Sequence, residues 1–408
     1  MVQRLRLVDI GRLYPVHPNL DTVIEDAVVC VSDGKVDWVG PKNEAPELAL
    51  GEDSVSLQGA MVTPGWVDSH THLIWAGSRQ HEFRQRLEGK TYLDIAKAGG
   101  GIMSTVREVR KASLEQLITD GRKRLQRLLS FGVTSLEIKS GYGLDTDSEV
   151  KMLEAAKALD ATSPQTIATT FLGAHTVPTE FKPKRADYLD LVCNEMIPLV
   201  AERKLADACD VFVEEGAFSL DEARRVLETG KQYGLRPRVH ADQLSPMGGA
   251  QLAAELGAAS ADHLEDIDEE GIQALADAGV VACMIPGSTF CLRQGKYAPA
   301  RALLEAGVTL AIATDLNPGT TCSENLALIG SIAATQMGLT PLEVLHALTR
   351  GGAFSLGHAD SLGSLAPGYQ ADLVVFDAPD IDYIFYHYGI SHVSQVYMKG
   401  ELSFEAAL

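Results

Sequence analysis

Pro64-Gly65-Trp66-Val67-Asp68-Ser69-His70-Thr71-His72 is a short apolar run that ends in Asp-Ser and a His-x-His pair. On an extended strand, residues i and i+2 face the same side about 6–7 Å apart, so both imidazoles can converge on one ion. Further β-rich apolar runs follow, giving eight in all near Met61–Asp68, Val133–Ile138, Thr166–Leu172, Asp210–Val213, Arg236–His240, Ser260–His263, Val280–Ile285 and Thr309–Thr314. Helices are predicted over Leu114–Leu129, Ser148–Leu159, Leu220–Tyr233, Gly248–Leu256 and Glu324–Met337, mostly in the gaps. This alternation fits parallel strands covered by helices, in either a closed (β/α)8 barrel or an open doubly wound sheet. Polar residues decide for the barrel. Asp68-Ser69-His70, Glu137-Ile138-Lys139, His175, His240, His263 and Asp315 all sit at or just beyond a run's C-terminal end. In a barrel those ends share one mouth.

The flanks read differently. Ala27–Val31, a turn at Ser32-Asp33-Gly34-Lys35, and Val36–Val39 form a hairpin, while Leu365–Asp377 is again a turn followed by a strand. The expected organisation is a small β-sandwich domain from both chain ends (1–60 plus 364–408) attached to an α/β barrel over 61–363.

The chain has 408 residues, enough for one barrel and a small domain, and its 46% apolar and 22% charged content is that of an ordinary globular protein. A formal net charge of −20 argues against a nucleic-acid partner, since a phosphate backbone selects basic surfaces. Local positive charge can still capture an anionic ligand. The six cysteines, Cys30, Cys193, Cys209, Cys283, Cys291 and Cys322, show no C-x-x-C pair or compact disulfide spacing, so reduced thiols and a cytoplasmic location are expected. Neither a signal-peptide pattern at the N-terminus nor an uncharged run approaching about 18 residues is found.

Alone, each polar residue at a strand end has a structural explanation. His240 or His263 could be a satisfied core histidine, and Asp315 a cap or turn former before Asn317-Pro318-Gly319. Together with His70 and His72 they make a nitrogen and oxygen set suited to zinc, with iron or manganese also admissible. Such an ion acidifies water and polarises a carbonyl, so hydrolysis is the natural reaction class.

The stretch Pro64–His72 resembles the first-strand motif of the amidohydrolase superfamily, and Gly368-Tyr369-Gln370-Ala371-Asp372-Leu373-Val374-Val375 resembles its C-terminal strand. Within that superfamily nearly the whole chain is similar to the imidazolone-ring hydrolases of histidine degradation. The carriers are Ala76-Gly77-Ser78-Arg79, Ala98-Gly99-Gly100-Gly101-Ile102, Glu137–Gly143, Phe171–His175, His240-Ala241-Asp242-Gln243 and Thr314–Thr320. The implied fold is a distorted (β/α)8 barrel with a small β domain. The implied reaction is ring opening of imidazolonepropionate to N-formimino-L-glutamate by a metal-activated hydroxide attacking the ring carbonyl.

The resemblance implies His70, His72, His240 and Asp315 as ligands of one zinc or iron ion. Binuclear relatives carry a bridging lysine at the end of strand four, whereas this run ends Val213-Glu214-Glu215-Gly216. Arg79 is expected to pair with the substrate carboxylate through a bidentate contact. Tyr142 and His175 are expected around the ligand, with Asn317, Gly319 and Thr320 at the product's amide and carboxylate oxygens. Gln243 stands where some relatives carry glutamate. Its amide can orient a ring but cannot serve as a base. The expected mechanism has Asp315 moving the proton and His263 hydrogen-bonding the oxyanion or the hydrolytic water, in a homodimer. Alternatives are another cyclic-amide or deaminase-type amidohydrolase, or a barrel that has lost catalysis and serves in binding or assembly.

Overall fold

A computed structural model describes the chain except residues 1–3, 21, 49–52, 91–93, 96–98 and 408. Ala98 of the glycine-rich motif therefore lies outside the described residues.

The chain opens with β1 (Arg4–Leu13), β2 (Ile24–Ser32), β3 (Lys35–Pro41), β4 (Asp53–Ser56) and β5 (Met61–Pro64). The expected hairpin is β2 paired antiparallel with β3. From the other end come β14 (Leu373–Phe376), β15 (Val393–Met398) and β16 (Glu401–Glu405). Together they form one sheet in the order β16-β15-β14-β5-β1-β2-β3, with β4 beside β1. Its own apolar core includes Leu7, Ile10, Val29, Val62, Leu373 and Val375.

Between these ends run β6 (Trp66–Asp68), β7 (Val133–Lys139), β8 (Thr166–Ala174), β9 (Ala208–Phe212), β10 (Arg236–Ala241), β11 (Ser260–His263), β12 (Val281–Met284) and β13 (Leu310–Ile312). Every strand in this second sheet pairs parallel with the next. The edges meet beyond the regular strands, through a bridge between Thr71 and Leu316 and the bonds His72 N–H to Leu316 O and Asp315 N–H to His70 O, both 3.0 Å. Buried Asp68 completes this seam, its carboxylate accepting the Thr314 N–H at 2.9 Å and the Thr314 hydroxyl at 2.6 Å. The sheet is thus a barrel rather than an open doubly wound layer.

The run Met61–Asp68, read from sequence as a single strand, is two. β5 pairs with β14 in the outer sheet, and β6 pairs with β7 in the barrel. The chain crosses between the sheets at Gly65, where a Cβ would sit 2.1 Å from Thr134 Oγ1. Glycine alone fits this approach. Trp66 packs on Phe376 with ring centroids 5.5 Å apart, tying barrel to outer sheet.

Helices begin where local signals place them. Ser113 accepts the Gln116 N–H at 3.1 Å to start Leu114–Ser130, and Ser219 with Glu222 makes a capping box at the head of Leu220–Gln232.

Candidate active site

The barrel mouth gathers the strand-end residues. His70 lies two residues past β6, His240 near the end of β10 and His263 at the end of β11, while Asp315 follows β13. His70, His72 and His240 each offer a ring nitrogen, and these atoms lie within 4.8 Å of one another. Asp315 Oδ1 is 3.7 Å from His70 Nε2 and 3.5 Å from His72 Nε2. His263 joins them, its ring centroid 5.2 Å from that of His240 and 5.5 Å from that of His70.

Burial holds the His70 and His72 imidazoles well below the ordinary histidine pKa, so both are neutral and can donate a lone pair. His70 Nε2, His72 Nδ1 and His240 Nε2 are buried without a hydrogen-bond partner among the described residues. Unpaired buried nitrogens are costly unless something binds there, so this donor set fits a metal ion. Burial likewise pushes the Asp315 carboxyl up to about 7.

Beneath the histidines lies a set of buried charges. His70 Nδ1 is 2.7 Å from Asp262 Oδ2, and His240 Nδ1 is 3.0 Å from Asp210 Oδ2. The carboxylate hydrogen-bonded to His70 Nδ1 selects the tautomer that leaves its Nε2 for a metal. Lys139 Nζ bridges the two carboxylates, 2.7 Å from Asp210 and 3.5 Å from Asp262, and is 2.8 Å from Glu137. Arg238 Nε is 3.0 Å from Glu137, and its Nη2 is 3.4 Å from Asp262. Burial opposes ionisation of Asp262, yet the Arg238 and Lys139 charges hold its carboxyl well below the usual range.

From sequence, Glu137 and Lys139 are placed at a strand end and in a family motif without a role, and Asp210, Arg238 and Asp262 carry no expectation. Strand alternation carried the signal for two of them: Lys139 lies i+2 from Glu137, and Arg238 i−2 from His240. Asp262 is harder. As the neighbour of His263 it belongs on the opposite face of a regular strand. A φ of 82° at His263 and 71° at Leu264 turns the chain so that both side chains reach the cluster. Glu265 was also missed; it is buried, with its pKa raised to about 8 by desolvation.

The remaining expected residues surround this centre. His175 stacks on His72 with centroids 5.1 Å apart and 16° between planes, and Tyr142 lies 5.5 Å from both rings. His175 Nδ1 is 3.0 Å from Gly141 O, and burial lowers its pKa to about 3. Asn317 organises the loop after β13. Its Oδ1 accepts the Gly319 and Thr320 N–H groups at 2.7 and 2.8 Å, and its Nδ2 donates to Asp315 O at 2.6 Å. The Thr320 hydroxyl donates to Asp315 Oδ2 at 3.1 Å, leaving Oδ1 as the oxygen nearer the histidines.

Arg79 reaches the same loop. A Cβ on Gly319 would lie 2.3 Å from Arg79 Nη1, so glycine makes room for the guanidinium. Arg79 Nε donates to Glu82 Oε2 at 2.9 Å. That edge is occupied, and an incoming carboxylate would meet the two terminal nitrogens instead. Gln243 is buried but makes no hydrogen bond among the described residues. Its neighbours are fixed: Asp242 accepts the N–H groups of Gly248, Gly249 and Ala250, and Leu244 N–H donates to Glu214 Oε2 at 2.9 Å. Glu214, at the end of the fourth strand's run, thus ties down the Gln243 loop.

The amidohydrolase family pattern matches residues 61–402. Similar proteins include the imidazolonepropionases of Myxococcus xanthus, 48% identical over 92% of this chain and 90% of that protein, and Geobacillus kaustophilus, 47% identical over 93% and 90%. That of Alkaliphilus oremlandii is 43% identical over 94% and 91%. Among solved structures, a zinc-bound adenosine deaminase from Xanthomonas campestris superposes with a TM-score of 0.73 at 21% identity, covering 98% of this chain and 93% of the other. A triazine hydrolase from Arthobacter aurescens gives 0.77 at 19% identity over 99% and 95%. These two share the fold. By the family match and the identity to its curated relatives, the chain belongs to the amidohydrolases and, among them, to the imidazolonepropionase family.

Proposed function

We propose that this protein hydrolyses the ring of imidazolonepropionate to N-formimino-L-glutamate, a step of histidine degradation. The observation that carries the reading is the meeting of His70, His72 and His240 with Asp315 in the barrel mouth, beside the loop that Arg79 reaches. Those four residues would hold one zinc or iron ion, which when bound polarises a carbonyl and acidifies water.

Arg79 receives the propionate carboxylate, and Gly319 leaves its guanidinium the space. Tyr142, His175 and Gln243 orient the ring, with Asn317, Gly319 and Thr320 at the far side of the ligand. Asp315 takes a proton from the attacking water and delivers it to the departing ring nitrogen. His263 hydrogen-bonds the oxygen on which negative charge develops. Family resemblance also supports a homodimer working in the cytoplasm.

The test is a comparison of substrates in the Arg79→Met variant. KM for imidazolonepropionate should rise roughly 30-fold or more, the loss of one desolvated charge-assisted contact. A ring analogue without the carboxylate should change little. Equal losses for both would mean structural damage, and no loss for either would remove the carboxylate from the reading.

A further inference from the structure

Two buried polar atoms at and just beyond the end of β11 have no hydrogen-bond partner among the described residues, His263 Nδ1 and Glu265 Oε2. They are 3.9 Å apart. Leaving both unpaired costs about 1–3 kcal/mol per group, so such a pair needs a reason. Their surroundings are built rather than loose. The Thr289 hydroxyl donates to Glu265 Oε1 at 2.7 Å, and Thr289 is itself buried within the helix Pro286–Leu292. Leu264 between them is fully buried and donates its N–H to Ala241 O at 3.0 Å. The left-handed φ values at His263 and Leu264 are costly for non-glycine residues and place the two side chains together.

Hydrogen bonds around catalytic groups are often long without ligand and tighten in the loaded complex. We propose that Glu265, seated by Thr289, is the positioning residue for His263: it closes onto Nδ1 with its Oε2–H donating, and leaves Nε2 carrying the ring proton that faces the substrate. A neutral imidazole that hydrogen-bonds a developing oxyanion has to present an N–H, and a donor on the other nitrogen keeps the ring proton there. The proposal rests on the reading of His263 given above.

The experiment uses zinc-loaded enzyme at matched metal content and reads kcat, KM and the tautomer of His263 by 15N NMR of histidine-labelled protein. Glu265→Leu should lower kcat roughly 10- to 100-fold with KM near wild type, and the His263 signals should show mixed tautomers. Glu265→Gln should recover most of the rate and the single tautomer, since an amide can still pair with Nδ1. If Glu265→Leu fails to fold, Thr289→Val unseats the carboxyl without removing it and should give a smaller loss in the same direction. Full kcat and an unchanged tautomer in Glu265→Leu or Thr289→Val, with His263→Ala crippled, would overturn the role of Glu265 and leave that of His263 standing. Normal turnover in His263→Ala would instead sink the reading of His263 itself.

Discussion

On the proposed reading, Asp315 both holds the metal and moves the proton. One oxygen is held by Thr320, the other lies within 3.7 Å of two histidines, and a φ of 51° bends the chain to put it there. Asp315→Asn keeps the volume and one oxygen donor but removes the basic site. Much of the metal should remain while kcat falls by roughly 10²–10⁴, the range for loss of general acid–base catalysis. Gln243→Glu in that background should not restore turnover, and kcat of the single and double variants at equal metal occupancy checks both statements. At this scale the sequence was informative wherever a polar residue interrupts an apolar run at its end, as at His70, His72, His240 and Asp315. It was silent where a contact depends on side-chain reach across the barrel. Nothing in Lys139 or Asp210 alone says that they meet, and nothing in Glu265 says that its oxygen stops 3.9 Å short of His263.

Strands set which of these groups share a face. Alternation along β7 sends Glu137 and Lys139 inward, and alternation along β10 does the same for Arg238 and His240, so two strands supply four members of the buried network. The eight barrel strands were legible because each is a short apolar run between helical stretches. The division at Gly65 was not, since pairing with two different sheets leaves no mark on hydrophobicity. The network also makes a prediction. Asp262→Asn removes the charge on His70 Nδ1 and offers an amide N–H in its place, so metal affinity should drop 10- to 100-fold while the barrel stays folded. Competition with a chromophoric chelator measures it. An unchanged affinity would mean that the carboxylate beside His70 serves packing alone.

Across the whole molecule, the outer sheet and the barrel are joined at the crossing between β5 and β6. Asp372 accepts the Lys399 N–H at 2.8 Å and the Gln370 amide at 2.7 Å, and its own carbonyl accepts the Gly65 N–H at 2.9 Å. Burial raises its carboxyl from 3.8 to about 6. The folded state therefore binds this proton more tightly than the unfolded chain, and the group's contribution is full below pH 3.8 and lost as pH rises through about 6. Asp372→Asn should gain stability relative to the parent between pH 4 and 7, by on the order of 3 kcal/mol. Denaturant midpoints of the two proteins across that range test the sign. The outer sheet was only partly legible: the β2–β3 hairpin and β14 carry turn signals, while β1, which pairs with β2, β4 and β5, alternates over Arg4–Leu7 and then loses the pattern between Leu7 and Ile10, where its pairing with β2 shifts register. Of the fold's consequences, the metal centre is the one on which the function depends. Elemental analysis of purified parent protein and His240→Ala, with circular dichroism to confirm folding, tests it most directly. The parent chain should carry about one zinc or iron ion, lost together with activity in the folded variant. Equal metal in both proteins, with turnover intact, would contradict it.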